Sequence, residues 1–230
     1  AATTISATPT ISTTGNQVLV VEAFDGTTTK RDTIQFYVAG TVATAALPAG
    51  VRDGINYEAN NTAATLVLYA PGKTRVGVIG DIPNSNWVEQ SAYQLSKTPD
   101  GNRWWIRLTG LTPGTEYSFQ YIVDGTLRIA DPYTEKVQDP YNDQYITAVT
   151  YPNLKPYPLA TANAVSILQT GVTPYAWHNT NFTKPDKRNL VIYEMLLRDF
   201  IAKHDWNTLT DTLNYLKALG INAVQVMPVN

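Results

Sequence analysis

Residues 103–125 read RWWIRLTGLTPGTEYSFQYIVDG. Strict alternation in the first run sends Trp104, Ile106 and Leu108 to one face and Trp105, Arg107 and Thr109 to the other, which is the period of a strand and not of a helix. Pro113 and Gly114 then punctuate the chain before a second β-rich run, EYSFQYIVDG at 116–125. Further short runs flank this pair: ATLVLYAP (64–71), TRVGVIGD (74–81), SAYQLSKT (91–98) and TLRIADPY (126–133). Each is bounded by Gly, Pro, Asp or Asn, and runs so spaced predict an antiparallel sandwich of about ninety residues.

Toward the N-terminus, residues 1–15 are small and polar and predict a tail or a loosely held strand. NQVLVVEAF and RDTIQFYVAG follow, separated by DGTTTK, and Asp25-Gly26 marks a hairpin turn. Two strands cannot cover their own faces, so this hairpin reads either as the end of an upstream sandwich or as an accessory docked on the next domain. Residues 40–54, GTVATAALPAGVRDG, read as a linker. Residues 150–189 are rich in Pro, Asn and Thr and predict an extended connector that packs on a surface through Ile167, Leu168, Tyr175 and Trp177.

At about residue 188 the pattern changes. NLVIYEML is a near-continuous apolar strand, DWNTLTDTLNYLKALG an amphipathic helix and INAVQVMPV a second apolar strand. Leu209, Leu213, Leu216 and Leu219 fall on one helical face, with Asp205 placed as N-cap and Gly220 just past the end. Strand, helix and strand of these lengths make a βαβ unit with parallel strands. The predicted division is a tail and hairpin at 1–40, a linker at 41–53, a sandwich at 54–150, a connector at 151–187 and a βαβ unit at 188–230.

Composition removes several function classes. Lys and Arg total 17 against 19 Asp and Glu without a basic run, so the electrostatic footprint of a nucleic-acid partner is missing. Apolar runs are no longer than a strand, which argues against a membrane span. Cysteine is absent, excluding disulfides, thiolate metal sites and cysteine nucleophiles, and two histidines are too few for a histidine-rich metal site. His204 beside the helix cap reads as solvent-facing, and GVIGD lacks the Lys and helix of a phosphate loop. Asn60 and Asn181 fit a glycosylation pattern short enough to arise by chance. Five Trp and fourteen Tyr remain as a positive feature, since flat aromatic rings stack on sugar faces as well as filling cores.

The strand–helix–strand region resembles the opening of the catalytic barrel of the α-amylase superfamily, glycoside hydrolase family 13. The family's second-strand pattern stands here as Gly220, Ile221, Val224 and Pro228, with Val in place of Ile. VIGDIPNSNW (78–87), LTPGTEYSFQYIVDG (111–125) and ADPYTEKV (130–137) resemble the isoamylase-type N-terminal module, related to family 48 carbohydrate-binding modules. The resemblance covers residues 54–230. It implies a mainly β chain, an immunoglobulin-like (E-set) antiparallel sandwich, followed by the start of a (β/α)8 barrel. The parent implied is a retaining glycosidase acting on starch, glycogen or related α-glucans, whose paired carboxylates are expected beyond Asn230. The chain by itself is then expected to be inactive, with the rest of its barrel as a partner. No metal site or cofactor is expected in this segment, and calcium is left open for the parent. A periplasmic, secreted or cell-surface location suits such an enzyme.

The resemblance also selects carbohydrate-binding candidates. Trp87 stands where glycogen-binding relatives stack an indole on glucose. The same relatives carry a second Trp where this chain has Leu127 and a Lys where it has Gln120, so Gln120 is the third position of that site. Trp104 matches the family's core Trp, which leaves Trp105 outward as a sugar platform or as a cover for the linker or barrel. Glu194 and Asp199 are read as structural, through hydrogen bonds or pairing with Arg198 or with a later residue of the barrel. Two rival readings stay open, a maltooligosaccharide-binding module without chemistry and a structural spacer.

Overall fold

A computed structural model describes residues 6–227, so the first five residues of the tail and Pro228 of the second-strand pattern lie outside the described residues. The chain divides into two units, one of residues up to 140 with 156–172, the other of 141–155 with 173 onward.

In the first unit, β1 (Gly15–Phe24) and β2 (Thr29–Val38) form the predicted hairpin, with Gly15 opposite Val38 and Phe24 opposite Thr29. The turn is built by Asp25, whose carboxylate accepts from the Thr27 and Thr28 N–H groups at 2.9 and 2.7 Å. Then come β3 (Gly54–Tyr57), β4 (Ala63–Tyr69), β5 (Val76–Gly80), β6 (Ser96–Lys97), β7 (Arg103–Thr109), β8 (Glu116–Val123), β9 (Leu127–Ile129), β10 (Val137–Gln138) and β11 (Val165–Gln169). One sheet has the order β3-β4-β7-β6 and the other β10-β11-β8-β5, with β9 also on β8. All pairings are antiparallel.

The period-two patterns meet between the sheets. Ala64, Leu66 and Leu68 of β4 and Trp104 and Leu108 of β7 close on Val76 and Val78 of β5 and on Tyr117, Phe119, Tyr121 and Val123 of β8. Phe119 and Tyr121 pack edge to face at 5.7 Å.

Three sequence expectations change here. Ser91–Tyr93 is a single 3-10 turn, leaving only Ser96–Lys97 as strand, because Gln90 and its neighbours close the loop that follows β5. The linker is partly ordered against the edge of the first sheet. Lys97 N–H donates to the Ala43 carbonyl at 2.8 Å and Ala45 N–H to the Lys97 carbonyl at 2.9 Å, satisfying the otherwise bare groups of the short edge strand β6. Finally, residues 165–169, assigned above to an extended connector, are a strand of the sandwich itself. The strand β9 covers only the far end of β8, at 121–123, and leaves the edge at 116–119 open for β11. The four buried residues Val165, Ser166, Ile167 and Leu168 fill it. Tyr175 and Trp177, expected to pack with them, are instead exposed and meet each other edge to face at 5.0 Å.

The second unit contains β12 (Ile192–Met195), a single turn α1 (Leu197–Phe200), α2 (Trp206–Ala218) and β13 (Ala223–Val226). The strands are parallel, with Ile192 beside Ala223 and Met195 beside Val226. Asp205 caps α2 by accepting from Thr208 N–H at 2.7 Å. Gly220, at φ +80°, ends it in a Schellman turn, with Ile221 N–H on the Leu216 carbonyl and Gly220 N–H on that of Lys217. Leu209 and Leu216 are buried with Met195, Leu197 and Ile201, whereas Leu213 and Leu219 stay exposed. No helix among the described residues is long and apolar enough to cross a membrane.

Candidate functional site

The loop after β5 carries Trp87 to the edge of the sandwich. Buried Ile82 anchors it, and Tyr93 OH donates to the Pro83 carbonyl. The Gln90 amide donates to the carbonyls of Asn84 and Ser85 at 2.6 and 3.1 Å. Trp87 N–H donates back to the Gly80 carbonyl at 2.9 Å. Held in this way, Asn84, Asn86 and Trp87 all adopt left-handed backbone, at φ 64°, 49° and 61°. Asn tolerates that region; for a bulky residue such as Trp it is an unfavourable conformation of order 1–2 kcal/mol per residue, the kind of local strain that clusters at functional sites.

This gives a direct expectation. Trp87→Gly should retain more stability than Trp87→Ala, by about 1 kcal/mol, because only glycine relieves the left-handed backbone while both remove the ring. Urea denaturation of the two variants checks it; equal midpoints would mean that the loop is not strained.

Half-buried Trp87 lines a cleft of about 570 Å³, within the size range of small-ligand sites. Ile122 of β8, Gly125 of the β8–β9 turn, Arg128 of β9 and Glu89 line it as well. Glu89 is held by Arg75 through two contacts at 3.2 and 3.4 Å. Arg128 donates through one guanidinium nitrogen to the Ala160 carbonyl at 3.3 Å and to the Thr161 hydroxyl at 3.0 Å. The opposite side of the cleft is the hairpin, through Val18 and Gln35 among others. One aromatic face, amide and guanidinium groups and an ordered carboxylate are what a polar ligand with flat apolar faces requires.

The structure does not bring the other two candidates to this cleft. Gln120 lies on the outer face of β8 but is fully buried, because the chain's own segment 161–164 crosses over it. Its amide nitrogen donates to the Ala162 and Ala164 carbonyls, both at 2.8 Å, and its oxygen accepts from the Thr161 hydroxyl. Every polar group of that side chain is thereby engaged within the unit. Trp105 faces outward from β7, as the alternation predicts, and its indole N–H donates to the Ala45 carbonyl at 3.1 Å. It covers the linker. Leu127, at the second-Trp position, is exposed.

Sequence reasoning missed the cleft residues Val18, Gln35, Glu89 and Arg128. Alternation along a strand puts Val18 and Gln35 on a face, but which part of the hairpin meets a neighbour depends on docking. In the second unit Glu194 accepts from Gln225 at 3.4 Å and Asp199 pairs with Arg198 at 3.1 Å, both exposed. No group of three His, Cys, Asp or Glu among the described residues could hold a metal ion.

No protein-family model matches the chain. It is similar to chloroplastic isoamylase 1 of Arabidopsis thaliana, 23% identical over 210 residues that make up 84% of this chain and 25% of the relative. Its fold is similar to that of the group B Streptococcus pullulanase SAP in complex with maltotetraose, with TM-score 0.55 and 20% identity over 78% of this chain and 24% of that one. The pullulanase of Bacillus acidopullulyticus gives TM-score 0.53 and 21% identity over 80% and 22%. The chain thus spans about a quarter of the length of these relatives. They are α-amylase-family proteins, and the likeness lies in the N-terminal parts of the pullulanases and isoamylase.

Proposed function

We propose that this chain is the accessory N-terminal portion of an α-glucan-hydrolysing glycosidase, in which the sandwich contacts glucan and residues 188–230 open a (β/α)8 barrel. The observation that carries this reading is the succession along one chain of an antiparallel sandwich and a parallel strand–helix–strand unit. The distant sequence similarity to isoamylase 1 covers 84% of the chain. A parallel pair with its helix is the repeating element of the barrel fold, whose active site is built at the C-terminal ends of its strands.

Retaining hydrolysis requires a nucleophilic carboxylate about 5 Å from an acid–base carboxylate. Glu194 is bonded to Gln225 and Asp199 to Arg198, which favours structural roles for both, and the catalytic pair is proposed to lie elsewhere in the intact protein. The partners proposed are an α-glucan and that remainder, in a secreted, periplasmic or cell-surface setting.

Trp87 is the proposed platform for a glucose ring, its indole matching the axial C–H face of the sugar. Isothermal titration of the chain with maltoheptaose should show binding, and Trp87→Ala should weaken it about tenfold or more, a loss of about 1.4 kcal/mol. Unchanged affinity in the variant would remove the site. The complete protein should release reducing sugar from glycogen or pullulan with retained anomeric configuration, read by proton NMR; inversion or inactivity would refute the hydrolase reading. On the Gln120 and Trp105 faces a structural role is favoured, because both side chains are bonded to the protein's own backbone.

A further inference from the structure

We propose that the β1–β2 hairpin is the second wall of the glucan cleft, with Val18 and Gln35 facing Trp87 across it; this rests on the glucan-contacting reading of Trp87.

The register fixes which side chains share a face. In an antiparallel pair directly opposed residues point the same way and alternate along the strand, so Asn16 with Tyr37 and Val18 with Gln35 lie on one face. The lower pair is bonded to the sandwich. The Asn16 amide donates to the Glu89 carbonyl at 3.1 Å, and Tyr37 OH donates to Gln94 at 3.2 Å. Both anchors lie in the stretch that follows Trp87, so hairpin and Trp87 loop are tied together beside the cleft that both line. The next pair on that face, Val18 and Gln35, lines the cleft, as do Gln17 and Phe36 of the intervening pair.

These two side chains lack an internal role. Val18 is 59% exposed, and the Gln35 amide makes no hydrogen bond among the described residues. The sandwich meanwhile offers Trp87 little help on its own, since Gln120 is sealed under residues 161–164 and Leu127 has no ring to stack. A single ring holds a sugar weakly. A methyl surface and an amide opposite it would hold the second face of the ring and a hydroxyl, while Arg128 has guanidinium N–H groups to spare beyond the nitrogen bonded at 3.0 and 3.3 Å. The occupant that fits is a short linear gluco-oligosaccharide, with flat apolar faces and hydroxyl edges, and not an extended apolar partner.

The test is maltoheptaose titration of the whole chain carrying Gln35→Ala, Val18→Ser, Trp87→Ala or, at the hairpin tip, Lys30→Ala. Gln35→Ala and Val18→Ser should each weaken binding about three- to tenfold with unchanged melting temperature, and Lys30→Ala should leave it unchanged. The double variant Gln35→Ala/Trp87→Ala should lose less than the product of the single losses, because both hold one ligand. If both wall variants bind as wild type while Trp87→Ala loses affinity, the second wall is wrong and the Trp87 site stands. If wild type and Trp87→Ala bind alike, or wild type does not bind, the glucan reading fails and this inference falls with it.

Discussion

Trp104→Ala should cost about 3–5 kcal/mol of stability, whereas Trp105→Ala, one residue along the same strand, should cost about 1 kcal/mol. Trp104 is fully buried between the sheets, in one cluster with Leu66, Leu95, Phe119 and Tyr121. Its indole N–H donates to the Ala70 carbonyl at 3.0 Å, and the Lys97 ammonium sits 5.2 Å from the ring centroid. Truncation therefore opens a large cavity, strands a carbonyl and removes a cation–π contact. Trp105, half-buried on the other face, loses chiefly its bond to Ala45 and frees the linker. Denaturant unfolding followed by fluorescence of the remaining tryptophans distinguishes the two. Comparable losses would mean that the inner and outer faces of β7 are not as assigned.

Asp131→Ala should cost about 3 kcal/mol, because it deprives two donors of their acceptor in a closed interior. Asp131 is 2% exposed; its carboxylate accepts from Tyr121 OH and from Tyr133 N–H, both at 2.8 Å. Its own N–H donates to the Ser166 hydroxyl of β11 at 2.7 Å. The turn ADPY is thus tied to the core by Asp131, while Tyr133 is exposed.

Burial pushes the Asp131 carboxyl above the usual carboxylate range, opposed by the bonds from Tyr133 and Tyr121 and reinforced by the Asp53 carboxylate. The folded protein consequently binds more protons than the unfolded chain between the ordinary Asp value, about 3.9, and the raised one. Stability contributed by this group is present below that window and is lost as pH climbs through it. Asp131→Asn keeps one acceptor oxygen and abolishes the titration. The stability difference between wild type and Asp131→Asn should accordingly shift against wild type as pH rises from about 4, then level off. Melts at closely spaced pH values check this, and a flat or opposite trend would show that the carboxyl is not held high.

Much of this molecule was legible without coordinates. The alternation in 103–109 assigned both tryptophans to their faces, Asp25-Gly26 marked the hairpin, and Asp205 and Gly220 bracketed α2, because each signal is set by bonds within a few residues. The apolar run at 165–168 was also visible, yet prolines on either side of it suggested an extended connector. Prolines bar the positions they occupy and say nothing of the run between them, and it was the open edge of β8 that made the run a strand. The same limit applies to the candidate site. Trp87 was named from its loop, whereas Gln120 was assigned to the surface, because its cover comes from residues more than forty positions later.

The sequence by itself therefore determined the strand and helix periods, the turns and caps, the switch from antiparallel to parallel architecture and the loop that presents Trp87. Only the tertiary structure decided which strand edges were left open, which outer faces the chain would cover with its own backbone and which part of the hairpin would line the cleft. The physical reason is one of range. Periodicity and capping are local properties of φ, ψ and neighbouring hydrogen bonds, while edge pairing and burial are settled by whichever distant segment satisfies the exposed backbone and apolar surface.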